Sequence, residues 1–231
     1  DSVASRGLGD VYKRQGNLAS PFPEEANRQL TGILADLHFA PTETAKNNLI
    51  RENKKKENIF VVGNTVIDAL LSTVKENYRF ADKEIEDIEE HKRVILVTTH
   101  RRENLGTPMH HVYKALRRLV ETVPHTEVVF PVHRNPLVRE AVEEELEGVP
   151  GIHLVEPMEY EPFTNLMARS SIVLTDSGGI QEEAPSLGKP VLVLRDTTER
   201  PEAIEAGTVK LVGTDENLIY ETAYRLSLIH I

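Results

Sequence analysis

The residues with the most chemistry stand in short clusters, each directly after an apolar run. Thr99-His100-Arg101-Arg102-Glu103-Asn104 follows Val94–Thr98, and His133-Arg134-Asn135-Pro136 follows Glu127–Val132. Asp176-Ser177-Gly178-Gly179-Ile180-Gln181-Glu182-Glu183 follows Ile172–Thr175, and Arg195-Asp196-Thr197-Thr198-Glu199-Arg200 follows Val191–Leu194. The Ser-Gly-Gly turn is the most informative of these. Two glycines let a backbone come close to a ligand. The helix behind them offers free N–H groups and the positive end of its dipole, which suits a phosphate or diphosphate. Ser177 either caps that helix or donates to a phosphate oxygen. Glu183, one helical turn on, suits a pair of ribose hydroxyls. The competing reading is a Gly-rich strand–helix turn with a capping serine and a solvated glutamate. No Gly-Lys-Ser/Thr follows, so this is not a Walker loop.

The other clusters carry paired readings too. Arg195 and Arg200 suit phosphate oxygens through their planar forks, or an ion pair with Glu199 or Glu202. Phe163 suits a planar base, or anchors the core. His100 stands beside two arginines, which disfavour its charged form; a neutral imidazole there hydrogen-bonds a substrate or exchanges a proton, or is simply satisfied by backbone. His133 reads the same way, less distinctly. His110 and His111 face different sides of a helix and read as surface residues. In Ser20-Pro21-Phe22-Pro23-Glu24-Glu25 the prolines fix the approach and the carboxylates open a helix. No His-carboxylate grouping has metal-ligand spacing, so no metal is expected.

Elements that position these groups follow from periodicity. From Val94 onward, β-rich runs at Val94–Thr98, Glu127–Val132, Ile152–Val155, Ile172–Thr175, Val191–Leu194 and Val209–Val212 alternate with helical candidates. The latter are Met109–Thr122, Leu137–Glu147, Phe163–Ala168, Ile180–Leu187, Pro201–Glu205 and Glu216–Tyr224. Such alternation means βαβ units and a parallel sheet, and ligands bind such sheets beyond the carboxyl ends of their strands. The fold class is therefore α/β, a Rossmann-like parallel-sheet domain. Upstream, strands at Leu37–Ala40 and Ile59–Val62 flank a helix over Thr42–Glu52; two strands close no core alone and read as the remnant of a preceding α/β domain. The expected division is 1–15 an appended, non-native tail, 16–75 the remnant, 76–92 a charged surface helix or linker, 93–225 the second domain, and 226–231 a second appended tail.

Composition bounds the function. The 231 residues are 39% hydrophobic and 28% charged, which is globular. With 27 Lys and Arg against 37 Asp and Glu the net charge is −10, which argues against a nucleic-acid footprint. There is no cysteine, hence no disulfide, thiolate metal site or thiol nucleophile. No run approaches a membrane span, so a cytoplasmic soluble protein is expected.

Read together, SPFPEEANRQLTG (20–32), GNTVIDALL (63–71), THRRENLG (99–106), PVHRNP (131–136), LTDSGGIQEEAPSLGKPVLVLRDTTERPEA (174–203) and AGTVKLVGTD (206–215) resemble the non-hydrolysing UDP-N-acetylglucosamine 2-epimerase family. The resemblance implies a two-domain glycosyltransferase-B-like fold, of which this chain holds the C-terminal half. It implies interconversion of UDP-GlcNAc and UDP-ManNAc by loss of the C2 proton and of UDP, through 2-acetamidoglucal, without metal or redox cofactor, for cell-wall polysaccharide synthesis. By motif, Ser177, Gly178 and Gly179 would hold the diphosphate, Glu183 the ribose, and Phe163 with the backbone near Met158 the uracil. Arg200 and His100 would contact phosphate, Glu24 and His100 would be catalytic, and Arg101 and His133 would belong to a second, allosteric UDP-GlcNAc site. The partners implied are UDP-GlcNAc, UDP-ManNAc and UDP, with no nucleic acid or membrane, and a homodimer at full length. The family's first-domain loop and carboxylates have no counterpart here, so this polypeptide alone is expected to be inactive. A glycosyltransferase of the same architecture would require an acceptor, and a silent UDP-sugar-binding module would lack the carboxylates at full length.

Overall fold

A computed structural model describes residues 24–198, 203–204 and 207–229. The chain divides into two compact units, Asp1–Asp68 and Ala69–Ile231. In the first, helix α1 (Glu24–Leu34) precedes strand β1 (His38–Ala40), helix α2 (Glu43–Arg51) and strand β2 (Ile59–Val61). The strands pair in parallel, with His38 opposite Ile59 and Ala40 opposite Val61. Thr42 caps α2 by accepting from the Ala45 amide at 3.1 Å, as the Pro-Thr-Glu start predicts. Ala40, Ala45, Leu49 and Ile59 form a small core. Arg28, itself buried, grips Glu52, with one guanidinium nitrogen at 2.8 Å. Phe39, Phe60, Val61 and Val62 remain exposed, as do Leu30, Ile33 and Leu34 on α1.

Helix α3 (Thr65–Thr73) carries the chain across the division. The periodicity reading assigned it no helix. In the second unit, a strap leads to strand β3 (Arg93–Thr98), then helix α5 (Thr107–Thr122), strand β4 (Thr126–Pro131) and helix α6 (Pro136–Leu146). Within the strap lies one short helix, α4 (Lys83–Glu86). Strand β5 (Ile152–Val155), helix α7 (Tyr160–Arg169), strand β6 (Ile172–Thr175), helix α8 (Ile180–Ser186), strands β7 (Val191–Val193) and β8 (Val209–Leu211), and helix α9 (Glu216–Ile229) complete it. The six strands are all parallel, in the order β5-β4-β3-β6-β7-β8. That is the Rossmann order: the chain runs outward from β3 to β5, returns to β6 beside β3, and runs outward the other way.

The continuous apolar runs are explained by two helical layers. In β3, Ile95 and Val97 join Met109, Leu116, Leu119, Val138, Ile219 and Ala223 on one face. Val94 and Leu96 join Ile85, Ile88, Leu166, Met167 and Ala184 on the other. Alternate residues of each strand thus feed opposite cores, so both sets must be apolar.

Three further elements depart from expectation. Helix α7 begins at Tyr160 rather than Phe163, because Pro162 occupies its first turn, where a missing N–H costs nothing. Helix α9 continues past Tyr224 to Ile229, with Ser227 buried and Leu226 packed on the core. The charged stretch read as a surface helix or linker instead buries Phe80, Ile85 and Ile88 against α7, where Arg169 donates to the carbonyls of Ile85 and Ile88. Among the described residues, no helix is long and apolar enough to cross a membrane.

Candidate functional site

The reversal of strand order falls between β3 and β6, whose last residues, Thr98 and Thr175, lie opposite each other. Their hydroxyls meet at 2.7 Å, and Thr175 Oγ1 also accepts the Ser177 amide at 2.9 Å. The loops leaving these strands diverge to opposite faces, opening the crevice that such folds use for ligands.

Asp176 is the hub of this edge. It is wholly buried. Its Oδ2 accepts the backbone amides of His100 and Arg101, each at 2.9 Å, and the Asn104 amide group at 3.4 Å. The same Asn104 nitrogen donates to Leu194 O at the end of β7, at 3.0 Å. His100 Nδ1 stands 3.0 Å from Asp176 Oδ1. Burial alone would push the Asp176 carboxyl up, but the His100 imidazole and the two amides outweigh it and hold the group below the usual aspartate value. Three strand ends are thereby tied through one carboxylate. Local spacing gives Asp176 no role, since its partners stand far upstream in the chain.

His100 and His133 stack, with ring centroids 5.9 Å apart and planes 25° from parallel. His133 Nδ1 accepts the Asn135 amide at 3.1 Å, which places the proton of a neutral His133 on Nε2. Asn135 also caps α6, through the Leu137 amide. His133 and His100, expected in separate subsites, are therefore neighbours. Arg101 follows at once, with its Nε buried and without a hydrogen-bond partner among the described residues.

The Ser177-Gly178-Gly179 turn leads directly into α8. Ser177 does not cap that helix: Gly179 is the N-cap, with no side-chain bond to the first turn. The first turn's amides have no acceptor of their own within the helix, and the bonds that start it run from Glu182 and Glu183 to Gly179 O. Glu183 folds back over this turn, such that a Cβ on Gly179 would sit 3.5 Å from its Oε1. Its charge reaches Tyr160, whose phenol is raised by burial first and by Glu183 second. The half-exposed Tyr160, at the start of α7, is thus within electrostatic reach of Glu183. Gln181, wholly buried, donates to Ser177 O at 3.1 Å and accepts from Thr198 beyond β7.

Met158 and Phe163 lie at this edge but are partly buried against the second core. Phe163 stands inside α7, not before it, so its anchor role is present whatever else it does. Arg195 pairs with Glu103 at 2.8 Å. That ion pair crosses the edge from β7 to the β3 loop, while Glu199 and Glu202, the partners expected, lie outside the described residues. Arg200 lies outside the described residues. Glu24 is the first residue of α1, in the first unit. Beside Arg195, a cleft of about 500 Å³ is lined by Asp196, Gly213, Thr214 and Asp215. A cleft of about 520 Å³ lies away from this edge, between the strap and α7. Its Lys75 and Arg79 are already paired with Glu161 and Glu86, so it reads as a packing seam.

Comparison with known proteins agrees with this geometry. The family model for UDP-N-acetylglucosamine 2-epimerase matches residues 13–228. The UDP-N-acetylglucosamine 2-epimerase of Bacillus subtilis is 58% identical over 213 residues, covering 92% of this chain and 55% of the relative. The Staphylococcus aureus MnaA–UDP co-structure matches with a TM-score of 0.85 at 49% identity, over 94% of this chain and 59% of that one. The Neisseria meningitidis UDP-GlcNAc 2-epimerase bound to UDP-GlcNAc matches with a TM-score of 0.80 at 48% identity, over 96% and 60%. The chain thus spans little more than half the length of the curated relatives it matches. A six-stranded switch-point sheet, a glycine turn at its reversal and this degree of likeness converge: the chain belongs to the UDP-N-acetylglucosamine 2-epimerase family.

Proposed function

We propose that the complete protein is a non-hydrolysing UDP-N-acetylglucosamine 2-epimerase and that this chain supplies its UDP-binding half. The observation that carries the reading is the Asp176–Gly179 turn at the switch point, with the start of α8 behind it and Glu183 folded over it. In this reading the diphosphate lies against Ser177, Gly178 and Gly179, and Arg200 and His100 take its remaining oxygens. Glu183 accepts from the ribose hydroxyls. Phe163 and the backbone near Met158 border the uracil. A base removes the C2 proton of the sugar while the C1–O bond breaks and UDP leaves, giving 2-acetamidoglucal. Return of a proton to the other face of C2 and of UDP to C1 yields the epimer. Glu24 is the carboxylate and His100 the imidazole this chain contributes. Arg101 and His133 border a second UDP-GlcNAc site that tunes activity. The enzyme is a cytoplasmic homodimer, and its product feeds surface-polysaccharide synthesis.

Calorimetric titration tests the site. UDP is expected to bind the chain saturably, and Arg200→Ala and Gly178→Val are each expected to weaken it by about tenfold or more, roughly 1.4 kcal/mol. Affinities indistinguishable from wild type would remove those residues from the site. Turnover of UDP-GlcNAc by this chain alone, followed as deuterium uptake at C2, is expected to be absent. An acid–base pair needs both partners within hydrogen-bond reach, and a rate matching a full-length relative would refute the assignment of the remaining carboxylates to the rest of the protein.

A further inference from the structure

Asp176 presents an unbalanced pair of oxygens. Oδ2 takes three donors: the amides of His100 and Arg101 and the Asn104 side chain. Oδ1 is equally buried and has no aligned hydrogen bond among the described residues. A buried, ionised oxygen left without a donor is costly. His100 Nδ1 stands 3.0 Å from it, close enough for an ion pair yet off the line of a well-directed bond. Histidines that work on ligands often sit loosely in this way before the ligand arrives and tighten afterwards. The ring is also constrained on its flank by the stacked His133, whose own Nδ1 is committed to the Asn135 amide. Among the described residues, the titratable groups placed against the His100 ring are Asp176 and His133, and Arg101 follows it in the chain.

We propose that Asp176 is a positioning residue for His100: its Oδ1 holds the proton of the neutral imidazole on Nδ1 and so leaves Nε2 as the nitrogen offered to the ligand edge. The chemistry is that of a carboxylate fixing the tautomer and orientation of a working histidine. It deepens the nucleotide-sugar reading of this edge and uses its ligand in one arm of the test. Asp176 acts only through His100; it touches no reacting atom. The buried carboxylate has a second consequence. The amides that anchor the start of the His100 loop share the acceptor that orients its ring, so loop position and ring tautomer are set together.

Two measurements test this. The first is a long-range proton–nitrogen spectrum of the wild-type chain at about pH 8.5, above the ordinary histidine range near 6.5. The His100 signal is picked out of the nine histidines by its loss in His100→Gln. A protonated Nδ1 and a bare Nε2 are expected; a proton on Nε2 would overturn the proposal. The second is a double-mutant cycle on UDP affinity. Asp176→Asn is expected to weaken UDP by about tenfold, the lower end for loss of such a partner. In the His100→Gln background the same change is expected to cost less than about twofold. An equal loss in both backgrounds would mean a merely structural carboxylate and would overturn the proposal. Should Asp176→Asn not fold, the wild-type spectrum decides alone. A chain that binds no UDP sinks the nucleotide reading, while the spectrum still judges the Asp176 assignment.

Discussion

Glu127 stands at the opposite edge of the sheet from the glycine turn and holds two cations at once, Lys92 at 2.8 Å and His153 at 2.9 Å. Burial pushes its carboxyl up, yet the hydrogen bonds from those two groups prevail and hold it below its ordinary 4.5. A carboxylate depressed in the folded state adds stability that is complete above its unfolded value and is lost as pH falls through its folded value. Asp176 acts in the same direction. The urea midpoint is therefore expected to fall between about pH 5 and pH 3. In Glu127→Gln it is expected to start lower at pH 7 and to fall less steeply, because the Glu127 share is gone while those of Asp176 and Glu86 remain. Parallel curves for the two proteins would show that Glu127 does not titrate as described.

At the scale of elements, glycines at special dihedrals punctuate the βα units. Gly213 has φ +57° and lies so close to Asp196 that a Cβ would meet Oδ1 at 2.9 Å. Gly148 has φ +69° with open space around it. Alanine at either position pays the left-handed penalty of about 1–2 kcal/mol, and only Gly213→Ala must also turn the Asp196 side chain aside. Thermal unfolding is expected to show a larger drop for Gly213→Ala than for Gly148→Ala; equal drops would mean Asp196 moves freely. The same punctuation made much of the fold legible. Ile152–Val155 and Ile172–Thr175 were readable to the residue because each is a short run rich in β-branched and apolar residues closed by an acidic one, Glu156 or Asp176. Pro162 misled, since a proline that serves a first helical turn looks in sequence like a barrier. Helix α3 was missed because Thr65–Thr73 shows no polar stripe to set its period. In the site, glycines announced the turn. Asp176 was silent because its partners lie about 75 residues upstream, and no local spacing encodes that pairing.

For the whole molecule, the division at Asp68 separates the proposed ligand-binding residues unequally. His100, Met158, Phe163, Ser177, Gly178, Gly179, Glu183 and Arg200 all belong to the second unit, whereas Glu24 belongs to the first. A polypeptide of residues 69–231 is therefore expected to titrate UDP with the affinity of the whole chain, within about twofold. A tenfold loss would show that residues before Ala69 contribute to binding.

Thr98 and Thr175 shake hands at the heart of the crevice, yet 77 residues separate them along the chain. Everything between them builds one wing of the sheet, β4 and β5 with their helices. Closing so long a loop is slow relative to local helix formation. The Thr98–Thr175 contact therefore exists only once the chain has reached Thr175 and its intervening wing can fold back, and the proposed nucleotide site is incomplete before that. On the proposed reading, UDP binding is in effect a certificate that the wing has already folded.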